Sequence, residues 1–233
     1  MNLLELTLFV FAGVMVVLGL SMLIWRGWRE QREVELEWRV VMEAEKENER
    51  YRPPGGSWAM GGRWRVKDQA PSTAALLYAR AGNDAGAADH TAWAMGQLEA
   101  GVDSPSLRIL AGLIGDEDPA EVERYFRRTF AELGWVMPDF PTRMRNYAEE
   151  LCREIGAGTL EPEAGVRRLY PTCLAMDYAD EYRVWLDLED GLDLLQMGEK
   201  GGPYEGLTLE NFDATVRWEA ARFLATAQAS EAS

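Results

Sequence analysis

The chain has 233 residues, and 47% of them are apolar, which is enough for a hydrophobic core and excludes disorder throughout. Its formal net charge is −15, from 39 acidic and 24 basic residues. His90, Cys152 and Cys173 are its only histidine and cysteines, too few for a disulfide framework or an ordinary zinc site, so we expect two buried, reduced thiols.

The charge is unevenly distributed along the chain. Nine acidic and ten basic residues lie up to Lys67 (net +1), whereas 30 acidic and 14 basic residues follow it (net −16). A domain this negative is repelled by nucleic-acid phosphates and by anionic lipid, so composition disfavours nucleic-acid binding and flat adsorption on a membrane. The charge suits a basic protein partner, or it serves solubility alone.

The first structural element is an apolar stretch. After a tail of residues 1–5, residues 6–25 contain no charged side chain, and as a helix they match a hydrocarbon core about 30 Å thick. A cleaved signal peptide would need a basic start, a shorter apolar run and a small-residue cleavage site, which are missing. The sequence predicts a single-pass transmembrane helix that is retained.

Aromatic and basic residues follow this stretch. We expect Trp25, Arg26, Trp28 and Arg29 to lie at the membrane interface, because Trp and Arg are common at that depth. The positive-inside rule then puts the N-terminus outside and the C-terminal domain in the cytoplasm.

Small residues within the apolar stretch indicate a helix contact. Ala12 and Gly19 are seven residues apart and share one helix face, where another membrane helix could approach closely. The alternative is that small residues occur there by ordinary composition.

Residues 26–52 are predicted to continue as a charged juxtamembrane helix, because pairs such as Arg29 and Glu33 have helical spacing. Val34, Trp38 and Val41 form a narrow apolar strip on it, which suits a coiled-coil seam, the chain's own domain or a partner.

Residues 53–71 are predicted to be a linker, because Pro53 and Pro54 end the helix. Trp58 and Trp64 stand there beside basic residues. These tryptophans could contact lipid headgroups, bind a partner or pack against the acidic domain.

Residues 72–229 are predicted to form an acidic, all-α domain. Ser104-Pro105 and Asp118-Pro119 each place an N-cap before a first-turn proline, and Glu121 would complete a capping box with Asp118. Glycines would end several helices. The predicted helices are 72–81, 85–100, 105–114, 119–133, 142–157, 162–176, 179–196 and 208–228.

The apolar positions agree with helices, since alternating strand patterns are scarce. Two sets recur at helical spacing: Tyr125, Phe126, Phe130 and Leu133, and Trp218, Ala221, Phe223 and Leu224.

A helix that ends in glycine and restarts at proline occurs twice, at Gly101 with Pro105 and at Gly158 with Pro162. This layout resembles that of small bacterial helical proteins, some of which look like toxin-immunity proteins. The resemblance covers about residues 90–228 and includes no specific catalytic motif.

Motifs that would indicate chemistry are missing. A calcium loop starting at Asp187 would need Gly and Glu where Leu192 and Gly198 stand, so we interpret this acidic run as a solvated helix face. His90 beside Asp89 is interpreted as a solvent-facing or capping residue, and no nucleotide-binding or nucleophile motif occurs. We therefore expect no cofactor, no metal and no enzymatic activity.

The sequence favours a non-catalytic, membrane-anchored accessory or tethering subunit that binds protein partners within a larger membrane complex, of respiratory or photosynthetic type for example. Ala12, Gly19, Trp38, Trp58 and Trp64 are its candidate partner-binding residues. The alternative is an acidic immunity- or inhibitor-type protein that neutralises a basic partner. A hydrolase that uses carboxylates is a third hypothesis, with only their abundance behind it.

Overall fold

The computed structural model describes residues 69–113, 118–200 and 202–231, and these residues form eight α-helices and no strand. This confirms the all-α prediction for the described part of the chain. None of these described helices combines the length and apolarity that a membrane span requires. The predicted transmembrane helix, the juxtamembrane helix and nearly all of the linker lie outside the described residues.

Each helix lies where the sequence predicts it, with every boundary within four residues of the predicted one. In chain order the helices are α1 (Thr73–Ala81), α2 (Ala87–Glu99), α3 (Pro105–Gly112), α4 (Pro119–Glu132), α5 (Phe140–Ala157), α6 (Pro162–Ala175), α7 (Asp180–Gln196) and α8 (Phe212–Glu231).

Side-chain caps explain where several helices begin. The Ser104 hydroxyl accepts a hydrogen bond from the Leu107 amide, and the Asp118 carboxylate accepts one from the Ala120 amide. The predicted capping box at α4 is wrong in one respect. Glu121 does not reach back to Asp118 but pairs with Arg124, one turn ahead, at 2.8 Å.

Two hydrophobic cores organise the described residues, and α1 contributes to both. Leu76 and Leu77 face the first core, which α2, α3 and α4 complete. Tyr78 and Ala79 face the second core, which is built mainly from α5 to α8. A nine-residue helix can do this because successive side chains point about 100° apart around its axis.

Aromatic rings and one ionic network fill the first core. Phe126 lies 5.1 Å from Trp93 and 4.9 Å from Phe130 between ring centroids. The Arg80 guanidinium lies 4.2 Å above the Phe126 ring and hydrogen-bonds Glu123 of α4 at 3.0 Å. The network ties α1 to α4 through charge as well as apolar contact.

His90 belongs to the same network, and of its two predicted roles, solvent-facing or capping, the first is wrong. It is only 5% exposed, Nε2 lies 2.7 Å from an Arg80 nitrogen, and Nδ1 lies 2.7 Å from the Gly86 carbonyl oxygen. Burial lowers the pKa of His90, which agrees with a neutral ring that accepts from Arg80 and donates to Gly86.

The second core has α5 beside α1, α6 and α8. Tyr78 of α1 stacks on Tyr147 of α5 with ring centroids 4.1 Å apart. Cys152 and Cys173 are both buried and free, as the sequence predicts. Burial raises the pKa of Cys152 to about 12, so its thiol stays protonated and unreactive at neutral pH.

The acidic run of α7 is less solvated than the sequence predicts. Glu189 is only 9% exposed, and Arg167 of α6 reaches both Glu189, at 3.4 Å, and Asp193, at 3.1 Å. The reason is that α6 packs along α7 and supplies a guanidinium to this face.

Candidate functional site

A cavity of about 300 Å³ opens between α5, α7 and α8. Its volume is at the lower end of the range of roughly 300–1,000 Å³ that is typical of ligand pockets. Three acidic and two basic side chains line it, which gives a formal lining charge of −1: Asp180, Glu181, Glu219, Arg145 and Arg222.

Glu219 is the most deeply buried of these charged groups, at 3% exposure. It lies on the inward face of α8 because Val216 and Ala220, three residues before it and one after it, are also buried. Its Oε1 accepts a hydrogen bond of 2.7 Å from the Tyr204 hydroxyl, and its Oε2 lies 2.6 Å from the Arg222 guanidinium. A carboxylate at the cavity wall is thus held by one hydroxyl and one cation.

Tyr204 comes from the connection between α7 and α8. Burial is the larger cause, and the hydrogen bond to Glu219 the second, that together raise the pKa of Tyr204 to about 12. The phenol therefore remains a donor at neutral pH. This bond fixes one oxygen of Glu219 and leaves the other facing Arg222.

Apolar side chains form the rest of the lining, chiefly Val184, Phe223 and Ala227. The Phe223 ring contacts Tyr182 at 5.6 Å and Trp185 at 5.9 Å between centroids. Aromatic neighbours at these distances hold the ring in place, so the cavity has one rigid aromatic wall.

The remaining charged groups lie nearer to solvent. Arg145 of α5 is 3.8 Å from Glu181 of α7, and both side chains are more than a third exposed. Arg222 places its guanidinium 5.3 Å above the ring of Trp218, which is 58% exposed. Partly exposed pairs of this kind are weak and can rearrange when a ligand enters.

The exposure of Trp218 corrects the prediction for α8. The sequence groups Trp218 and Ala221 with the apolar face, but both are exposed, and the buried stripe instead passes through Phe212, Val216 and Ala220. Phe223 and Leu224 of the predicted set do pack against the second core, whereas Trp218 and Ala221 face solvent, and spacing alone does not decide between the two sides of the helix.

The predicted partner-binding residues Ala12, Gly19, Trp38, Trp58 and Trp64 lie outside the described residues. The predicted membrane-interface residues Trp25, Arg26, Trp28 and Arg29 lie outside them too. All of these assignments stay predictions.

The structure gives Asp89 a capping role. Its Oδ2 accepts a hydrogen bond of 2.7 Å from the Gly86 amide at the start of α2. Within residues 69–113, 118–200 and 202–231, no group of three His, Cys, Asp or Glu side chains is placed to bind a metal ion.

Sequence reasoning missed Glu219, although the sequence contains a signal for it. Glu219 falls within the apolar stripe of Val216, Ala220 and Phe223, at three, one and four residues' distance. An acidic residue inside such a stripe must be paired or must line a cavity, because burying a lone charge is costly. The cavity itself could not be foreseen, since α5 and α8 are far apart in sequence.

Comparison with protein-family models, with curated proteins and with solved structures gives no match for this chain.

Proposed function

We propose that this protein is a non-catalytic, membrane-anchored accessory subunit whose acidic helical domain binds a basic protein partner within a larger membrane complex. Residues 6–25 anchor it in the bilayer, and the helical domain lies on the cytoplasmic side. The observation that carries the proposal is an acidic segment in the second half of the domain that also exposes large apolar side chains.

The negative charge is concentrated in that segment. Between Asp177 and Asp213 the chain has eleven acidic and two basic residues, a net charge of −9. Glu199, Glu205 and Glu210, in the connection between α7 and α8, are all exposed. A field of one sign attracts a partner of opposite charge and speeds its association.

Exposed apolar side chains accompany this charge. Met197 is 76% exposed and Leu209 is 61% exposed, at the two ends of the same connection. Single exposed apolar residues are ordinary, but their position among carboxylates provides the desolvated contacts that a polar surface lacks. The connection between α7 and α8 is therefore the proposed docking surface.

Zero-length cross-linking in native membranes tests the proposal. A carbodiimide joins a carboxylate to a lysine only where the two are in contact, so mass spectrometry of the products reports which acidic residues face a partner. We expect cross-links from Glu199, Glu205 or Glu210 to lysines of one stoichiometric companion. We also expect the yield to fall as salt is raised.

Charge-reversal variants sharpen the experiment. Glu199→Lys, Glu205→Lys and Glu210→Lys combined should abolish the cross-links. Glu99→Lys, at an exposed acidic residue at the end of α2, should leave them unchanged. Recovery of the chain from carbonate-washed membranes as a monomer, with no such cross-link at any salt concentration, would rule out the proposal.

The same negatively charged segment, Asp177 to Asp213, also favours a second function. An acidic inhibitor or immunity-type protein would cover the basic active surface of a target and block its activity. The discriminating measurement is the activity of the cross-linked companion with and without this chain. Stoichiometric inhibition would favour the inhibitor, and unchanged or increased activity would favour the accessory subunit.

A further inference from the structure

We propose that the cavity between α5, α7 and α8 is a receptor for a single guanidinium group, the side chain of an arginine on the basic partner. This inference rests on the proposed function for the source of the arginine, but the site itself can be tested with small molecules.

The charge of the lining favours a monocation. Asp180, Glu181 and Glu219 outnumber Arg145 and Arg222 by one, so a ligand of charge +1 makes the site neutral. Glu219 supplies the buried carboxylate, whose Oε2 lies 2.6 Å from the guanidinium of Arg222, a side chain that is itself 56% exposed. A ligand guanidinium can take the place of Arg222 there when Arg222 turns toward solvent, because it carries five N–H groups in a planar fork.

The uncharged lining fits the rest of an arginine side chain. Val184 and Ala227 offer aliphatic surface to its methylene groups, and the Phe223 ring offers an aromatic surface to the cation. Phe223 is already held by Tyr182 and Trp185, so its side chain loses little conformational entropy when the ligand binds.

An anion is the principal rival ligand, since Arg145 and Arg222 could bind a phosphate together. Against this, each of these cations already has a carboxylate partner, Arg145 with Glu181 and Arg222 with Glu219. A bound anion would leave the buried Glu219 without its cation, which is costly. The cation is therefore the ligand that the arrangement favours.

The test uses the full-length chain in detergent and two probes that differ only in charge. N-acetyl-arginine amide carries the guanidinium, and N-acetyl-citrulline amide is its neutral isostere. We expect saturable binding of the arginine probe by calorimetry and at least tenfold weaker binding of the citrulline probe. Tighter binding of inorganic phosphate than of the arginine probe would overturn the proposal.

Three variants locate the binding. Glu219→Gln should weaken binding of the arginine probe at least tenfold, and Ala227→Met, which fills the cavity without changing charge, should do the same. Glu205→Gln removes one exposed charge outside the cavity and should change affinity less than twofold. Equal affinity in all three variants would overturn the proposal, even if the Glu219 variant is less stable.

Failure of the guanidinium site and failure of the proposed function give different experimental results. If no basic companion is found but the arginine probe binds at the cavity, the site stands and the partner assignment fails. If cross-links map to the connection between α7 and α8 while the probe does not bind, the accessory function stands and the guanidinium site is refuted.

Discussion

Glu123 beside the first core and Glu219 beside the cavity are both partly or fully shielded from water, at 33% and 3% exposure, but their partners differ. Glu123 binds two cations of its own chain, with Arg80 at 2.8 Å and Arg127 also in contact. Burial alone would raise the pKa of Glu123, but these two guanidiniums lower it to about 2. Glu219 has one hydroxyl and one cation, and an open cavity beside it.

The difference separates a structural ion pair from a candidate binding group. Around Glu123 the helices close on the network, and Phe126 packs against Arg80, which leaves little for a ligand to add. Around Glu219 the helices stay apart, and the groups that would close the space are near solvent and loosely paired. Substitutions should therefore affect stability most at Glu123 and binding most at Glu219.

The largest expected effect is at Arg80. Arg80→Met keeps the apolar contact with Phe126 but removes a cation from Glu123 and the neighbour of His90 Nε2. We expect a loss of about 2 kcal/mol in the free energy of unfolding, measured by urea denaturation, because Glu123 keeps Arg127 but loses Arg80, and the buried His90 Nε2 loses its hydrogen-bond donor.

Arg124 provides the matched control for Arg80. Its side chain is 52% exposed and pairs with Glu121, which is 36% exposed, on the surface of α4. Arg124→Met should change stability by no more than about 0.5 kcal/mol. Equal losses in the two variants would contradict the structural role of the Arg80 network.

The second-largest expected effect is the contribution of ionised Glu123 to the pH dependence of stability. Because its pKa is about 2 in the folded protein and 4.5 ordinarily, its contribution is present above pH 4.5 and is lost as the pH falls toward 2. With its side chain about one third exposed, we discount the full shift for solvent screening to about 1–2 kcal/mol.

The measurement compares urea midpoints of the wild type and Glu123→Gln across that range. The wild type should lose more stability on acidification, and the two proteins should converge near pH 2. Parallel curves would mean that Glu123 is not held ionised by its partners.

At Glu219 we expect a smaller effect on stability. Glu219→Gln keeps an acceptor for Tyr204 but removes the charge beside Arg222, which can turn toward solvent because it is 56% exposed. The expected loss is about 1 kcal/mol by thermal denaturation. A loss as large as that of Arg80→Met would show that Glu219 is structural, and the contrast between the two regions would fail.

The smallest effects concern packing within the second region. A methyl group at Gly165 of α6 would come within 2.7 Å of Ile155 Cγ1, whereas one at Gly156 of α5 would meet nothing within 4 Å. We expect Gly165→Ala to lower stability by about 1 kcal/mol. Gly156→Ala should raise it by about 0.5–1 kcal/mol, because alanine favours the helix.

Urea denaturation of both glycine variants checks that α5 and α6 pack closely away from the cavity. If both variants gain stability, Ile155 can move aside and the second region is looser than the structure indicates.

The helices could be predicted from the sequence because their ends are encoded locally. Ser104 with Pro105 begins α3, and Gly158, with φ of 76°, ends α5 as a left-handed cap that suits glycine. The faces were harder to predict. Trp218 is exposed and Glu189 is buried because neighbouring helices, not local spacing, decide which side of a helix meets water.

The cavity could not be predicted, because it depends on the placement of three helices that come together only in the folded chain. His90 illustrates the same limit. Its burial depends on Arg80 and Phe126, which belong to α1 and α4, and nothing in its own helix indicates them.

The position of α1 in both cores has a consequence for how the domain comes apart. Opening the first core exposes Leu76 and Leu77, and opening the second exposes Tyr78 and Ala79, so α1 cannot leave one core and keep its place in the other. Loss of either core therefore also removes the buried contacts that α1 makes in the other core. The described helices should melt as one cooperative unit, and proteolytic nicking near α1 should release both halves together.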